Sequence, residues 1–454
     1  MTPPATQQSP WTIFGLTAVA VFLVSLDGTI VLAAFPALRT AFPATTPAML
    51  SWAINAYTII YAALLVPAGR MADTLGRRRV FLAGLGLFLT ASLLCGIAPG
   101  PLWLVAGRIL QALGAALLSP ASLSLILAAF PAPKRPVAVS LWGAVGALAA
   151  AFGPGIGGWL VDLAGWQSVF LVNLPLGGWA FLRGRRRLVE SRGAERATAP
   201  DAMGIALLIL GVGALVLGIV EAAAWPVVGA IGTSLAGLAL LAVFIAQSRG
   251  RPDAALDLTL FAEPSYAWVN AATLIFGATF SMMFLGFFLF LTGIWGYSFT
   301  ATGFAVTPGP LAVIPVAIVA GRFAARFGHR PLLVSGGVLY ALSNLWFALR
   351  LGPTPDFLGT WLPGLLLGGM SVGLVLPALS GAAVARLRPE RFGVGNAANS
   401  AIRQIGASLG AAGAVALGGT IGTGMAAFTA LYVLLAAGGL LTAAVSLNVD
   451  TRPR

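Results

Sequence analysis

The chain has 454 residues, 59% hydrophobic and only 9% charged, with a formal net charge of +13. A soluble globular protein of this length needs far more polar surface, so the composition points to a chain embedded in a lipid bilayer. One cysteine, Cys95, and one histidine, His329, exclude a disulfide framework and a Cys/His metal centre; no metal, cofactor or catalytic residue is implied.

Fourteen apolar stretches follow one another, at 12–36, 48–68, 80–98, 102–123, 138–162, 166–182, 204–223, 227–247, 267–291, 303–320, 332–349, 357–377, 395–419 and 425–446. Most reach the ~17–25 residues a helix needs to cross the hydrocarbon. Residues Met1–Pro10 carry no Lys or Arg and run straight into the first stretch, so no cleaved leader is expected. Threading the stretches alternately from a cytoplasmic N-terminus sorts the 26 lysines and arginines. Arg39 and Arg350 fall outside, Arg108 and Arg403 lie within spans, and all the others fall on the cytoplasmic side. That asymmetry fixes an even span count with both termini cytoplasmic. The basic balance therefore reports topology, and nucleic acid is not expected as a partner.

Span one carries Asp27 near mid-depth, the only acid so placed. A carboxyl there is desolvated and either takes up a proton or is held by a cation. It is thus a proton carrier or half of an ion pair with Arg108, and both hold if the pair breaks on protonation. Span two offers Asn55, Tyr57 and Tyr61. It ends in a glycine-bounded basic turn, Gly69–Arg79, with Asp73 as its one acid and an echo at Gly321–Arg330. Two such turns imply two related six-span halves, residues 1–182 and 267–454. In span four, Arg108 costs ~2.5–3.5 kcal/mol to insert. It faces a cavity or a partner, or snorkels to an interface about two turns away; Gln111 follows it. Span five contains Gly153-Pro154-Gly155-Ile156-Gly157-Gly158, where proline frees a helix hydrogen bond and glycines permit close approach, so that the helix can act as a gate. Residues 183–202 read as a cytoplasmic linker and 203–266 as an extra two-helix hairpin with its connector. Span nine brings Asn270, Phe280, Met282, Met283 and Phe284, and later spans bring Asn344, Trp346, Asn399 and Arg403. Met and aromatic stripes suit adaptable binding of lipophilic molecules, although packing alone also produces them. Hydrogen-bonding side chains are too few for a sugar carrier.

The Gly69–Arg79 turn resembles the G-x-x-x-D-x-x-G-R-[RK]-x loop of the major facilitator superfamily, matched at Gly69, Asp73, Gly76, Arg77 and Arg78. Residues Arg108–Ala115 are similar to its R-x-x-Q-[GA]-x-G-A signature. Residues 149–158 resemble the antiporter motif G-x-x-x-G-P-x-x-G-G, with Ala149 in place of the first glycine. Leu26–Pro36 resembles the L-D-x-T-I-V-N-V-A-L-P signature of the fourteen-span drug:proton antiporters, with Leu32 at the asparagine position. Further matches are Trp52 with Tyr57, Trp166–Gly177 and Arg403-Gln404-Ile405-Gly406. The resemblance implies an all-α major facilitator fold, two six-helix bundles plus two extra central helices. It also implies a monomeric, non-enzymatic, proton-coupled exporter of lipophilic drugs or toxins in the bacterial inner membrane. Asp27 and Arg108 would couple protons. Gly69, Asp73, Gly76, Arg77, Arg78, Gly153, Pro154, Gly157 and Gly158 would gate. A dedicated exporter of one natural product is a close alternative, and uptake by proton symport a more distant one.

Overall fold

The computed structural model describes residues 9–131, 134–192, 201–251, 254–388, 391–421 and 424–451. Hydrocarbon offers no water to unpaired backbone groups, so the apolar stretches close into helices. In chain order these are α1 (Pro10–Ala41), α2 (Pro47–Leu75), α3 (Arg77–Gly96), α4 (Pro101–Ala129), α5 (Arg135–Ala164), α6 (Ser168–Leu171), α7 (Asn173–Arg187), α8 (Ala202–Val220), α9 (Val227–Ser248), α10 (Pro264–Gly293), α11 (Phe299–Val306), α12 (Pro308–Phe327), α13 (Arg330–Arg350), α14 (Leu362–Val384), α15 (Phe392–Ile421) and α16 (Met425–Ser446). Proline opens α1, α2, α4 and α10, where its missing N–H costs nothing.

Among the described residues, 12 helical segments are long and apolar enough to cross a membrane. Two expected spans fall short of that description. Span six is divided at Val172 into α6 and the short, arginine-ended α7. Span thirteen corresponds to α15, which is long but carries Asn396, Asn399, Arg403 and Gln404. Span ten is divided at Thr307, immediately before Pro308. Residues 193–200 of the expected linker and the C-terminal Arg454 lie outside the described residues.

The helices pack as two sets. In the first, α4 lies against α2 and α3, α1 against α5, and α7 against α3; in the second, α10 lies against α15 and α16, and α14 against α12 and α13. The sets meet chiefly through α2–α15, α5–α11 and α1–α10. Helices α8 and α9 form a hairpin, with α8 bridging the seam between α2 and α15. The outer helix α9 leaves Val227, Val228, Leu235 and Leu238 exposed, as expected of a surface facing lipid. The hairpin is tied to its connector by the buried Asp201. Its carboxylate accepts from Gly204 N (3.0 Å), Gln247 Nε2 (3.1 Å) and Ala255 N (3.0 Å).

Candidate functional site

Asp27 on α1 and Arg108 on α4 are joined inside the first helix set, 0% and 2% exposed. Arg108 Nη1 donates to Asp27 Oδ2 at 2.6 Å and to Gln111 Oε1 at 2.6 Å, and Nε donates to the Ala53 carbonyl of α2 at 2.7 Å. Gln111 lies one turn from Arg108 on the same face of α4. Its amide donates to Asp27 Oδ1 (2.8 Å) and to Ser92 Oγ on α3 (2.9 Å), and Asn173 on α7 also reaches Ser92 (3.3 Å). The Tyr57 ring lies 4.0 Å from the guanidinium carbon, which adds a cation–π contact. Both carboxylate oxygens are therefore engaged, the condition under which a buried ion pair offsets its desolvation. Arg108 is buried against a partner and does not snorkel.

The other predicted binding residues separate into groups. Tyr57 and Gln111 belong to this charged centre and are buried within it. Asn55 spans the seam, its Oδ1 accepting from Ser408 Oγ of α15 at 3.3 Å. Asn399 on α15 donates to Asn270 Oδ1 (3.0 Å) and Thr273 Oγ1 (2.8 Å) on α10. Phe280 and Phe284 belong to an aromatic ladder along α10, with neighbouring ring centroids 5.8 Å apart, and Met283 is buried beside them. Asn344 and Trp346 bond within the second set, to the carbonyls of Tyr340 (2.8 Å) and Thr360 (2.9 Å). Tyr61 donates to Ser119 Oγ at 2.9 Å, stacks on Tyr57 and is an electrostatic neighbour of Arg403. A groove of about 550 Å³ between α12, α13 and α14, lined by residues such as Val319, Phe323 and Leu374, involves none of these residues.

The glycines of α5 work on two faces. A Cβ on Gly153 would strike Thr29, and one on Gly157 would come within 2.8 Å of Ile30, so these two seat α5 on α1. Gly158 faces α11 so closely that a Cβ there would collide with the Phe299 carbonyl, and one on Gly303 with the Pro154 carbonyl. Asp162 closes this contact by accepting from Thr300 N at the start of α11, at 2.7 Å. Helix α5 remains continuous through Pro154.

At the Gly69–Arg79 turn, Asp73 pairs with Arg77 at 2.7 Å. The N-terminus of α3 is held by a different acid, Glu190. Its carboxylate accepts from Arg78 N (3.0 Å), Arg79 N (3.3 Å) and Ser191 N (3.1 Å). Gly76, at φ +112°, permits this approach, since a Cβ there would lie 2.7 Å from the carboxylate. The echo turn repeats the arrangement with a hydroxyl. Gly328 adopts φ +76°, and Thr451 Oγ1 accepts from His329 N at 2.9 Å and lies 3.0 Å from its Nδ1. Burial holds His329 below its ordinary range, favouring the neutral ring. Sequence reasoning gave Glu190 no role, although an acid closely following Arg185, Arg186 and Arg187 was a signal available to it. Glu190→Ala is expected to cost about 1–2 kcal/mol through loss of the helix cap, whereas Asp73→Asn loses a surface pair of ~0–1 kcal/mol. Thermal unfolding of both variants checks this; an equal or larger loss for Asp73→Asn would contradict the assignment of the cap.

A membrane chain of two helix sets meeting across a seam, with a buried charge pair in one of them, has the architecture of a transporter. Residues 17–411 match the Major Facilitator Superfamily, and the chain belongs to that family. It is therefore a multi-pass membrane transporter of small molecules and not an enzyme. It is 34% identical over 398 residues to the multidrug resistance protein Stp of Mycobacterium tuberculosis, covering 87% of this chain and 73% of that one. It is 32% identical over 410 residues to the cephamycin export protein CmcT of Amycolatopsis lactamdurans, covering 87% and 82%. The crystal structure of a POT family transporter in complex with a thioalcohol-conjugated peptide superposes with a TM-score of 0.70 at 15% identity, over 96% of this chain and 95% of that one. At that identity the likeness concerns the fold alone.

Proposed function

We propose that this transporter is a proton-coupled antiporter that exports lipophilic drugs or toxic small molecules across the bacterial inner membrane by alternating access. The relatives named for multidrug resistance and for export support the direction and the cargo. The observation that carries proton coupling is the Asp27–Arg108–Gln111 centre, in which Asp27 is, among the described residues, the one fully enclosed carboxylate of the spans. Protonation of Asp27 cancels the negative half of the ion pair and weakens its hold on Arg108, whose Nη1 keeps the Gln111 acceptor. Within about two turns along α1, Thr29, Ile30 and Ala33 seat the glycine face of α5, whose opposite face carries the contact with α11. A shift of α1 against α4 is thereby passed to the seam between the two sets. One charge crossing the membrane contributes ~2.3 kcal/mol per 100 mV.

In this reading α6–α7 and α15 complete fourteen spans. Residues 1–182 and 267–454 form the moving bundles, 183–202 the linker and 203–266 the extra hairpin, and the working unit is a monomer with both termini in the cytoplasm. Topology reporters fused at Arg192 and Arg454 are both expected to report cytoplasm; a periplasmic signal at either would overturn the threading. Transport itself is tested by uptake into inverted vesicles with an imposed pH gradient and a chemically mixed panel. Accumulation that collapses with the gradient supports antiport, and accumulation indifferent to it contradicts it. The relative named for cephamycin export favours a second reading, dedication to one natural product; the same panel separates the two by the number of compounds moved.

A further inference from the structure

We infer that the exported molecules carry an acidic group, a carboxylate or similar anion, that pairs with Arg403 beside Tyr61 at the seam between the bundles. This names a substrate class for the exporter proposed above and rests on that reading. Two arginines lie within the spans, and only one is neutralised. Arg108 has Asp27, whereas no carboxylate pairs with Arg403 among the described residues and its guanidinium makes no hydrogen bond there. Of the span-associated acids, Asp27 is committed on both oxygens, Asp162 is bonded to Thr300, and Glu221 stands at the end of α8. Arg403 nonetheless sits well inside α15 and is only half-buried, so part of its side chain remains accessible to an arriving group.

The neighbours define what fits. The backbone of α15 at Arg403 abuts α10 at Gly277, while Ser408 bonds Asn55 on α2, so this stretch of α15 lies between the two sets. Tyr61, also on α2, is the electrostatic neighbour of Arg403. Its hydroxyl is committed to Ser119, and its ring is stacked on Tyr57 with centroids 5.9 Å apart. Aromatic surface is thus held beside an uncompensated cation. A guanidinium presents a planar fork of donors that matches a carboxylate bidentately, and a buried cation without a counter-charge favours arrival of an anion and opposes a second cation. The stack continues from Tyr57 to Arg108, 4.0 Å from the Tyr57 ring, and so to Asp27. Substrate and proton then occupy separate charged positions linked by two tyrosines. Exporting a monoanion against one entering proton moves two charges per cycle, where a neutral substrate moves one.

The test uses the full-length protein in nanodiscs and three fluorescent probes on one ring: 9-anthracenecarboxylate, 9-anthracenecarboxamide and 9-anthracenemethylammonium. Wild type is expected to bind the carboxylate about tenfold or more tighter than the ammonium. Arg403→Gln is expected to bring the three within about twofold of one another, and Arg403→Lys to keep part of the preference. An ammonium bound as tightly as the carboxylate by wild type, or a preference unchanged in Arg403→Gln, would overturn the inference. The wild-type comparison stands even if a variant folds poorly. In inverted vesicles, uptake of the ammonium or amide without the carboxylate would sink the anion assignment and leave export standing. Gradient-independent behaviour of all three probes, together with the chemically mixed panel, would sink both.

Discussion

Asp27→Asn is expected to abolish uphill transport while leaving a folded protein that still binds its substrate. In antiport of one substrate against one proton, a gradient of one pH unit supports about tenfold accumulation; the variant is expected to stop at equal concentrations on the two sides. The amide cannot titrate, but its oxygen still accepts from Arg108, which also keeps the Gln111 and Ala53 acceptors and the Tyr57 face. It imitates the neutral state that a proton carrier visits in every cycle, so the penalty is expected to fall below the ~3–5 kcal/mol typical of a broken buried pair. Arg108→Gln is the harsher change, because it strands a carboxylate in apolar surroundings. Counterflow in vesicles without a gradient separates the effects: exchange that survives in Asp27→Asn marks lost coupling, and exchange that disappears with it marks a wider defect.

Gly158→Val is expected to lower transport by at least about tenfold by wedging α5 from α11. Its side chain would meet the Phe299 carbonyl, and backbone there has no rotamer with which to yield. The contact must reform in every cycle if it is a gate, so the variant is held with that seam parted. Cysteine pairs across α5 and α11, or the accessibility of a label placed near Thr300, report the parting directly. Gly143→Ala, with open space around the glycine, is the control on the same helix and is expected to be neutral. Wild-type exchange and unaltered accessibility in Gly158→Val would show that the close approach is packing alone.

The membrane class, the helical fold, the paired turns and the charged partners Asp27 and Arg108 could all be read from residue types at fixed spacing, whereas Gln111 was legible only as a candidate binding residue. Each is a polar group in an apolar setting, and such groups stand out in a sequence because hydrocarbon makes them costly. What completes the site has no such contrast. The Ala53 acceptor is a backbone carbonyl, common to every residue. Ser92 is an ordinary hydroxyl until Gln111 and Asn173 converge on it. Glu190 caps α3 across a separation of 112 residues, a pairing that only the fold creates. Tyr57 was legible as a polar aromatic in a span, but the rotation of α2 decides whether it meets substrate or Arg108, and a helix that is predominantly apolar leaves the rotation unspecified. The division of span ten at Pro308 was marked by its proline, whereas that of span six at Val172 was not.

The claim on which the account depends is that substrate and the Asp27 proton exclude one another. It is measured by adding a bound substrate to purified, weakly buffered protein and recording the pH. The account predicts about one proton released per substrate bound by wild type and none by Asp27→Asn. Release of the same size from Asp27→Asn, or no release from a wild-type protein shown to bind, would contradict it.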